Sequence, residues 1–159
     1  AEEKTKNEIS KIMKVDGKLA VDEVNRELGK IDWDKIGMAR NEAGLKEALT
    51  EIPKIKESFW KNILIPGSDK DVNQELEKAL RIKDFIELAE LMAYDALDRK
   101  ESCGAHFREE FQTDENEAER NDEDYKYVAA WDYSEGENPK LFKEQLKYKN
   151  VKLKTRSYK

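Results

Sequence analysis

The sequence has few of the residues on which tight turns, disulfides and metal sites depend. Seven glycines and three prolines among 159 residues disfavour a sandwich built from many tight turns. The single cysteine, Cys103, cannot form an internal disulfide, so an oxidising compartment is not required. Cys103 and the single histidine, His106, would together supply at most half of the ligands of a metal site. We therefore predict no metal-ligand set.

Long apolar runs are also missing. No stretch approaches the roughly 18–20 consecutive apolar residues that a membrane-spanning helix needs. The first residues, Ala-Glu-Glu-Lys, lack the apolar region of a secretory signal. They enter a charged helical pattern at once, as expected in the middle of a longer protein. These features predict a cytoplasmic chain.

Charge is abundant but unevenly distributed. Charged residues make up 42% and hydrophobic residues 38% of the chain, a balance typical of amphipathic helices. Residues 140–159 hold eight Lys or Arg and one acidic residue, whereas residues 1–139 hold 22 basic and 35 acidic residues. An acidic body repels polyanions, so general nucleic-acid binding is disfavoured. We expect the basic tail to stay solvated or to dock on the acidic body; an acidic partner or anionic lipid is the alternative.

Apolar residues recur every three or four positions over the first 100 residues, which predicts amphipathic helices. The first predicted helix spans residues 3–14, and the second spans about residues 21–38. Asn41 is the predicted N-cap of a third helix, whose apolar stripe continues to Ile63. Pro53 lies inside that stripe and is expected to bend the helix or interrupt it.

A turn at residues 66–69 (Pro-Gly-Ser-Asp) separates the third helix from the most regular helix of the chain. That helix is predicted from about Asn73 to Arg99, a length of about 40 Å at 1.5 Å per residue. Two long antiparallel helices joined by a short turn, with a third packed beside them, form a bundle. The predicted fold class is therefore mainly α, with residues 1–100 forming the helical bundle.

The second predicted part of the chain, residues 101–159, is a junction, an acidic loop and a small β element with a basic tail. Residues 112–124 are almost entirely polar and mostly acidic, which predicts an exposed loop. Residues 125–133 are aromatic and small-apolar, as in a strand, and residues 134–139 form a predicted turn. A second strand is predicted from alternating apolar residues, with a bulge near Asn150: Leu146, Tyr148, Val151 and Leu153. The appendage is expected to be an antiparallel pair.

Motifs for cofactor binding and nucleophilic catalysis are absent. A flavin or nicotinamide site needs a Gly-rich turn between a strand and a helix, because backbone N–H groups must approach the pyrophosphate. The chain has neither a GxGxxG pattern nor a P-loop, so we predict no cofactor-binding residue in it. Cys103 and His106 could meet on a helical turn, but a lone cysteine is more often inert than catalytic. No catalytic residue is predicted.

The junction segment, from Arg99 to Phe111, is the densest polar stretch between the helices and the β element. Its sequence is Arg-Lys-Glu-Ser-Cys-Gly-Ala-His-Phe-Arg-Glu-Glu-Phe. One interpretation is a helix-ending turn, because cations favour the C-terminal end of a helix and Gly104 allows the chain to reverse. The other is an interaction surface on which Arg99 and Arg108 bind carboxylates bidentately. The residues alone support both equally.

The junction segment also resembles a motif of a known family. The Glu-Ser-x-Gly-Ala-His-x-Arg pattern, with Arg99 before it and Phe111 after it, is similar to the ES-R-GAH-R-DF motif late in succinate dehydrogenase and fumarate reductase flavoproteins. L-aspartate oxidases carry a related version. The family commonly has arginine where this chain has Cys103, so the contacts of that arginine do not carry over. Further segments resemble the helices and tail of that family: residues 38–45, 73–77, 88–93, 122–124 and 154–158.

The resemblance implies a fold, a function and partners. The matched part of those subunits is a three-helix, spectrin-repeat-like bundle that follows a flavin-binding domain and a capping domain. The full subunit would interconvert succinate and fumarate on a covalent FAD. It would pass electrons to an iron–sulfur subunit and then to a membrane quinone subunit, on the cytoplasmic face of the inner membrane. Flavin and substrate residues belong to the upstream domains, so this chain alone is expected to be inactive.

Within that resemblance, five junction residues are predicted to contact the upstream flavin domain, because they form the densest polar cluster: Arg99, Glu101, Ser102, His106 and Arg108. Three other interpretations remain. The chain is an independent helical protein-interaction module, the corresponding domain of an L-aspartate oxidase, or, ranked last, an enzyme that uses Cys103 and His106. The direction of the reaction and the oligomeric state are left open by the sequence.

Overall fold

Long helices make up most of the computed structural model, which describes residues 2–132 and 138–154. Their bounds follow the apolar periodicity of the sequence to within a residue or two, except at the end of the second helix. The predicted mainly α fold class is therefore confirmed. The helices are α1 (Glu2–Met13), α2 (Val21–Ile31), α3 (Glu42–Asn62) and α4 (Gln74–Asp98).

The prediction that the second helix runs to about Met38 is wrong for its last residues. It ends at Ile31 and continues as a π-helical segment, Asp32–Ile36. Gly37 then turns the chain away, at a point where an added Cβ would lie 2.6 Å from the carbonyl oxygen of Trp33. Only glycine permits that close approach. The helical periodicity persists through the wider π turn, which explains why the sequence pattern extends too far.

The ends of α3 and α4 are set by asparagine side chains. Asn41 Oδ1 accepts a hydrogen bond from the backbone N–H of Gly44 at 2.8 Å, which confirms the predicted N-cap. Asn73 caps α4 in the same way, through the N–H of Leu76 at 3.1 Å. Pro53 lies inside α3 without interrupting it. Of the two predicted outcomes, a bend or an interruption, the interruption is wrong, because apolar residues on both sides of the proline are buried in the core and hold the helix together.

The core lies between α2, α3 and α4, which pack against each other in pairs, and α1 covers α4. Its side chains are the apolar stripes of these helices, and each fully buried Leu, Ile or Phe contributes about 1.5–3 kcal/mol. Fully buried members at the centre include Val24, Leu45, Ile52, Phe59 and Ile86.

Two short parallel pairs of strands connect the loops between helices. Strand β1 (Leu19–Ala20) pairs with β3 (Ile63–Leu64), which ties the start of α2 to the end of α3. Strand β2 (Ala39–Arg40) pairs with β4 (Phe107–Arg108), which brings the junction against the start of α3. The second pair joins residues almost 70 positions apart in sequence.

The acidic loop predicted at residues 112–124 is irregular and largely exposed over most of its length. At its end it forms the short helix α5 (Asp122–Tyr125). Asn121 caps this helix, since its Oδ1 accepts a hydrogen bond from the N–H of Asp124 at 3.2 Å. The prediction of a loop is therefore wrong for these last residues, where a local cap outweighs the high polarity of the segment.

An antiparallel hairpin follows, as predicted, but its second strand lies earlier than expected. Strand β5 (Tyr127–Asp132) pairs with β6 (Lys140–Gln145), with Tyr127 opposite Gln145. The prediction of a strand from Leu146 to Leu153 is wrong, because β5 has no residues left to pair beyond Gln145 except through Lys126. The Lys126 carbonyl accepts one further bond, from the Leu146 N–H. The turn predicted at 134–139 lies outside the described residues, apart from 138 and 139.

The described part of the basic tail contacts the acidic body. Lys143 Nζ lies 3.7 Å from a carboxylate oxygen of Asp98. Further along, Arg120 donates to the carbonyl of Lys154 at 3.0 Å. Most of the tail segment that resembles the family, residues 154–158, lies outside the described residues. The predicted boundary between the two parts, at residues 100 and 101, stays a prediction.

Candidate functional site

The junction segment turns the chain back onto the end of α4. Arg99 leaves the helical conformation, with φ −83° and ψ 99°. Cys103 and His106 then exchange two backbone hydrogen bonds, of 2.8 and 3.1 Å, around a turn in which Gly104 has a φ of +60°. That left-handed conformation is one that glycine adopts without cost. The turn directs the following residues toward the start of α3.

Arg108 is the centre of the site, and its side chain is 1% exposed. Its Nη1 donates to the carbonyl oxygens of Ala96 at 2.8 Å and Leu97 at 3.4 Å, in the last turn of α4. Its Nε donates to Glu110 at 3.1 Å, and its guanidinium lies 5.4 Å from the centre of the Phe111 ring. The last carbonyls of a helix have no partner within it and carry partial negative charge. Arg108 supplies both the donors and the positive charge.

Ser102 fixes the backbone of Arg108. Its hydroxyl accepts from the Arg108 N–H at 2.8 Å and donates to the Arg108 carbonyl at 3.1 Å. Its own N–H donates to the carbonyl of Glu119 at 2.8 Å. Ser102 is fully buried, and a hydroxyl is the one small side chain that can both donate and accept here. This contact explains the serine at this position of the motif.

Glu101 and Arg99 form a second, neighbouring ion pair. The buried Glu101 carboxylate accepts from Arg99 Nε at 2.8 Å and from the N–H of Asn121 at 2.9 Å. Arg99 also donates to the carbonyl of Tyr125 at 2.8 Å and lies 5.5 Å from the centre of the Tyr127 ring. A charged pair with these additional hydrogen bonds is held in one geometry. The pair therefore fixes the start of the hairpin to the end of α4.

The hairpin contacts the same end of α4 through its inward-facing side chains. Trp131 Nε1 donates to the carboxylate of Asp95 at 2.7 Å, and the Tyr127 hydroxyl lies 3.4 Å from that of Asp98. Lys143 stacks 4.4 Å from the centre of the Tyr127 ring. The hairpin is held by these contacts, because two strands alone are marginally stable in water.

His106 is half-buried, and its Nε2 lies 2.9 Å from the carbonyl oxygen of Arg99. A carbonyl only accepts, so this nitrogen carries the proton. Burial lowers the pKa of His106, and the positive charges of Arg40, Arg99 and Arg108 lower it further, although the bond to the Arg99 carbonyl opposes them. The imidazole is therefore neutral near pH 7 and acts here as a hydrogen-bond donor.

Arg40 belongs to the same cluster, although the sequence analysis did not select it as a site residue. It lies opposite Arg108 in the β2–β4 pair. Among the described residues its Nε is buried without a hydrogen-bond partner, and its Nη2 makes one long bond of 3.5 Å to the Ala105 carbonyl. Burial lowers the pKa of Arg40, and Arg108 lowers it further, against the attraction of Asp95. A buried donor without an acceptor costs about 1–3 kcal/mol.

The junction also contacts the first turn of α3. Asn41 donates to the Glu109 carboxylate at 2.6 Å, and the N–H of Glu109 donates to the Arg40 carbonyl at 2.9 Å. The N–H of Glu42 donates to Glu110. Acidic side chains are favourable at a helix N-terminus, where free N–H groups carry partial positive charge. Residues 108–110 thus join the end of α4 to the start of α3.

The structure brings all five predicted site residues together, in two classes of burial. Glu101, Ser102 and Arg108 are buried and bonded to this chain, whereas Arg99 and His106 are partly exposed. The predicted contact with an upstream flavin domain stays a prediction. Arg40 was missed because its role depends on a strand pair that no local pattern signals. Its place in residues 38–45, which resemble the family, was the available clue.

The described residues hold no group of three or more His, Cys, Asp or Glu side chains arranged to bind a metal ion. Over residues 2–132 and 138–154, no helix combines the length and apolarity that crossing a membrane requires. Cys103 and His106 contact each other through their backbones, and the His106 ring donates to the carbonyl oxygen of Arg99.

Comparison with protein families and curated proteins identifies similar sequences. Residues 25–158 match the family model described as the fumarate reductase flavoprotein C-terminus. An uncharacterized FAD-dependent oxidoreductase of Methanocaldococcus jannaschii is 35% identical over 70% of this chain and 20% of its own length. The fumarate reductase flavoprotein subunit of Helicobacter pylori is 31% identical over 82% of this chain and 18% of its own length. The chain thus spans about a fifth of these relatives.

Solved structures share the fold. A chain of E. coli quinol fumarate reductase superimposes with a TM-score of 0.81 at 21% identity, over 94% of this chain and 25% of its own length. A chain of the Mycobacterium smegmatis Sdh1 complex gives a TM-score of 0.74 at 21% identity, over 91% of this chain and 23% of its own length. At this identity the likeness concerns the fold.

Proposed function

The chain belongs to the fumarate reductase flavoprotein C-terminal family, and from this membership we propose that it is the structural carboxy-terminal part of a flavoprotein subunit. That subunit interconverts succinate and fumarate. It transfers electrons to an iron–sulfur subunit and a membrane quinone subunit, at the cytoplasmic face of the inner membrane. The relatives named as fumarate reductase and succinate dehydrogenase flavoprotein subunits support this role.

The residues of this chain do not fit FAD. A dinucleotide needs a glycine-rich turn that presents free N–H groups at the start of a helix. The seven glycines are scattered without a GxGxxG pattern. The first turns of α3 and α4 are already capped by Asn41 and Asn73. We therefore assign the flavin to the upstream portion of the subunit and derive no step of the reaction from this chain.

The observation that carries the proposal is the contact of Arg108 with the end of α4. Its guanidinium, 1% exposed, bonds two carbonyls of that helix, and its neighbours Glu109 and Glu110 bond the start of α3. Because β4 also pairs with β2, the segment is fixed to three elements and makes a rigid unit, as a brace requires. In this proposal Arg99 and His106 contact the flavin domain. The buried Glu101, Ser102 and Arg108 position them.

Complementation tests the proposal. The chain is co-expressed with the flavin-binding and capping portion of the subunit, and succinate-dependent dye reduction and flavin retention are compared with those of that portion alone. We expect activity or flavin retention to rise only when the chain is present, because without the chain the surface of the upstream portion that it covers stays open to solvent.

Equal activity and flavin content with and without the chain would contradict the proposal. The chain would then be better described as an independent helical interaction module. The matched control is the Arg81→Gln variant of the chain, because Arg81 lies on an exposed helix face and pairs with Glu77. This variant should complement as well as the unaltered chain.

A further inference from the structure

Two large apolar side chains are almost fully exposed in the segment that precedes Arg40 in the sequence. Trp33 is 84% and Met38 is 81% exposed. Single exposed apolar residues are common on protein surfaces, but tryptophan is on average among the more buried types. Trp, Met and Arg are also among the residues that are enriched at protein interfaces. Exposure of a Trp and a Met beside an arginine therefore calls for a partner.

These three residues lie within eight consecutive positions of the chain. Trp33 lies on the π-helical segment, and Gly37 approaches it so closely that an added Cβ would lie 2.6 Å from the Trp33 carbonyl oxygen. Met38 follows directly, and Arg40 lies two residues further, in β2. Single turns of π-helix occur frequently at functional sites. We name Trp33, Met38 and Arg40 the exposed patch.

Arg40 gives the exposed patch a chemical preference. Of the five N–H donors of a guanidinium, one makes a hydrogen bond to a described acceptor, and that bond is 3.5 Å long. Arg108 across the strand pair has its Nε engaged with Glu110 and its Nη1 engaged with Ala96 and Leu97. The Nε of Arg40 is buried, so an acceptor from outside would have to meet the terminal Nη atoms, and a carboxylate can accept from two such donors at once.

The exposed patch is also held in place before any partner arrives. Ala39 and Arg40 pair with Phe107 and Arg108, and the Arg40 carbonyl accepts from the N–H of Glu109 at 2.9 Å. A surface that is already ordered loses little conformational entropy on binding, which favours affinity. The rigid backbone of the junction therefore supports the patch as well as the helix ends.

We propose that the exposed patch docks onto the flavin-binding portion of the same flavoprotein subunit, through a carboxylate of that portion that pairs with Arg40. The inference rests on the proposed function and goes further by naming the surface and the chemistry of its partner. The chain spans about a fifth of its curated relatives, so the remaining four fifths of such a protein supply the covering surface.

Charge favours a protein carboxylate over a polyanion. The positive charges of Arg40, Arg99 and Arg108 all lower the pKa of His106, so the electrostatic potential at His106 is positive. Residues 1–139 as a whole hold 22 basic and 35 acidic residues, and this excess of negative charge repels an extended anionic surface such as a membrane or a nucleic acid. A single carboxylate fits a local positive site on an acidic body.

A second apolar surface serves as the internal comparison. Phe85, Leu88 and Met92 form a stripe on α4 and are 43%, 52% and 48% exposed. Unlike the exposed patch, the stripe does not adjoin a strand pair that the structure describes. Among the described residues, none of its three side chains has a buried donor without an acceptor. Leu88→Ala is therefore the matched apolar control for Trp33→Ala, and Arg81→Gln is the matched cationic control for Arg40→Gln.

The experiment uses co-expression, so that the two parts fold in each other's presence. The tagged upstream portion is purified with the unaltered chain or a variant, and the dissociation constant of each purified pair is measured at low and high salt. We expect Trp33→Ala and Arg40→Gln to weaken binding at least about ten-fold, and both controls to stay within about two-fold. Arg40→Gln should also reduce the salt dependence, and Arg40→Lys should restore part of it.

Each outcome decides the inference. If the unaltered chain binds and the Trp33 and Arg40 variants bind equally well, the exposed patch is not the docking surface, although the proposed function stands. Loss of binding in Leu88→Ala alone would assign docking to the α4 stripe instead. If the unaltered chain does not bind the upstream portion, the proposed function and the inference both fail. Binding of the chain to anionic vesicles, lost in Arg40→Gln and without binding to the upstream portion, would assign the patch to a membrane.

Discussion

The helical bundle and the junction both contain buried side chains, but different interactions stabilise the two regions. In the bundle, the buried side chains are apolar and come from stripes on α2, α3 and α4. In the junction they are polar, and Glu101, Ser102 and Arg108 are each 2% exposed or less. Apolar burial is roughly proportional to area and has no direction. The polar contacts depend on the position and orientation of single atoms.

This difference determines how each region tolerates change. A core keeps its fold when residues of similar volume are exchanged, so many sequences can build the bundle. A buried polar network is stable only when each member has its partner. Removal of one member leaves the others as unpaired polar groups in a low-dielectric environment, which is unfavourable. We therefore expect identity to matter more in the junction, and volume to matter more in the bundle.

The largest expected effect is the loss of a large core side chain. Phe59 is fully buried, so Phe59→Ala should lower the free energy of unfolding by about 3–5 kcal/mol, measured by urea denaturation. Phe59→Leu, which keeps most of the volume, should cost less than about 1.5 kcal/mol. Similar losses for both variants would show that shape, and not volume, decides stability in the bundle.

Arg108→Met should come next, with a loss of about 3 kcal/mol. Methionine fills a similar volume but leaves the carbonyls of Ala96 and Leu97 without their donor and Glu110 without its cation. Urea denaturation measures the total loss, and hydrogen exchange should show that the last turn of α4 opens first.

The control for Arg108 is an arginine on the surface of the helical bundle. Arg81 pairs with Glu77 in the exposed part of α4, and Arg81→Met should change the unfolding free energy by less than about 0.5 kcal/mol. If the two arginine variants lose equal stability, the contrast between a directional junction and a solvated surface is unsupported.

The bundle was predictable because its information is local. Apolar residues three and four positions apart define a helix face, and Asn41 and Asn73 mark helix starts through contacts within three residues. These signals predicted the helices and the cap at Asn41, and they placed the start of the last long helix near Asn73. They were too weak at Gly37, where the end of the helix depends on the space beside Trp33, and at Pro53, where packing outweighs a local conformational cost.

The junction was only partly predictable because its contacts are distant in sequence. Its composition marked residues 99–111 as unusual, and the structure places those side chains together. The hydrogen bond between Asn41 and Glu109 joins residues 68 positions apart, and no periodic pattern in the sequence predicts it. Arg40 was missed for the same reason. The second hairpin strand was misplaced because alternation identifies candidate strands but does not say which one lies opposite β5.

Ser102→Ala should have a smaller effect, of about 1–2 kcal/mol. It removes both hydroxyl bonds to the backbone of Arg108 and leaves a buried N–H without an acceptor. The matched control is Ser68→Ala, because the Ser68 hydroxyl accepts from the N–H of Lys70 in an exposed turn where water can replace it. Thermal unfolding of the two variants compares them, and equal stabilities would mean that burial adds nothing to the serine contact.

The smallest expected effect is a pH dependence from His106. Because its folded pKa lies below the unfolded value of 6.5, chiefly through burial, the unfolded chain binds the proton more readily. Stability is therefore complete above pH 6.5 and falls as the pH drops from there toward the folded pKa. Arg40, Arg99 and Arg108 face the ring and act in the same direction. His106→Gln keeps an N–H donor for the Arg99 carbonyl but cannot titrate, so its unfolding free energy should vary less between pH 7 and 5. Because His106 is the only histidine of the chain, its pKa can be measured directly by an NMR titration. A measured pKa at or above 6.5 would contradict the prediction that burial and the three arginines lower it.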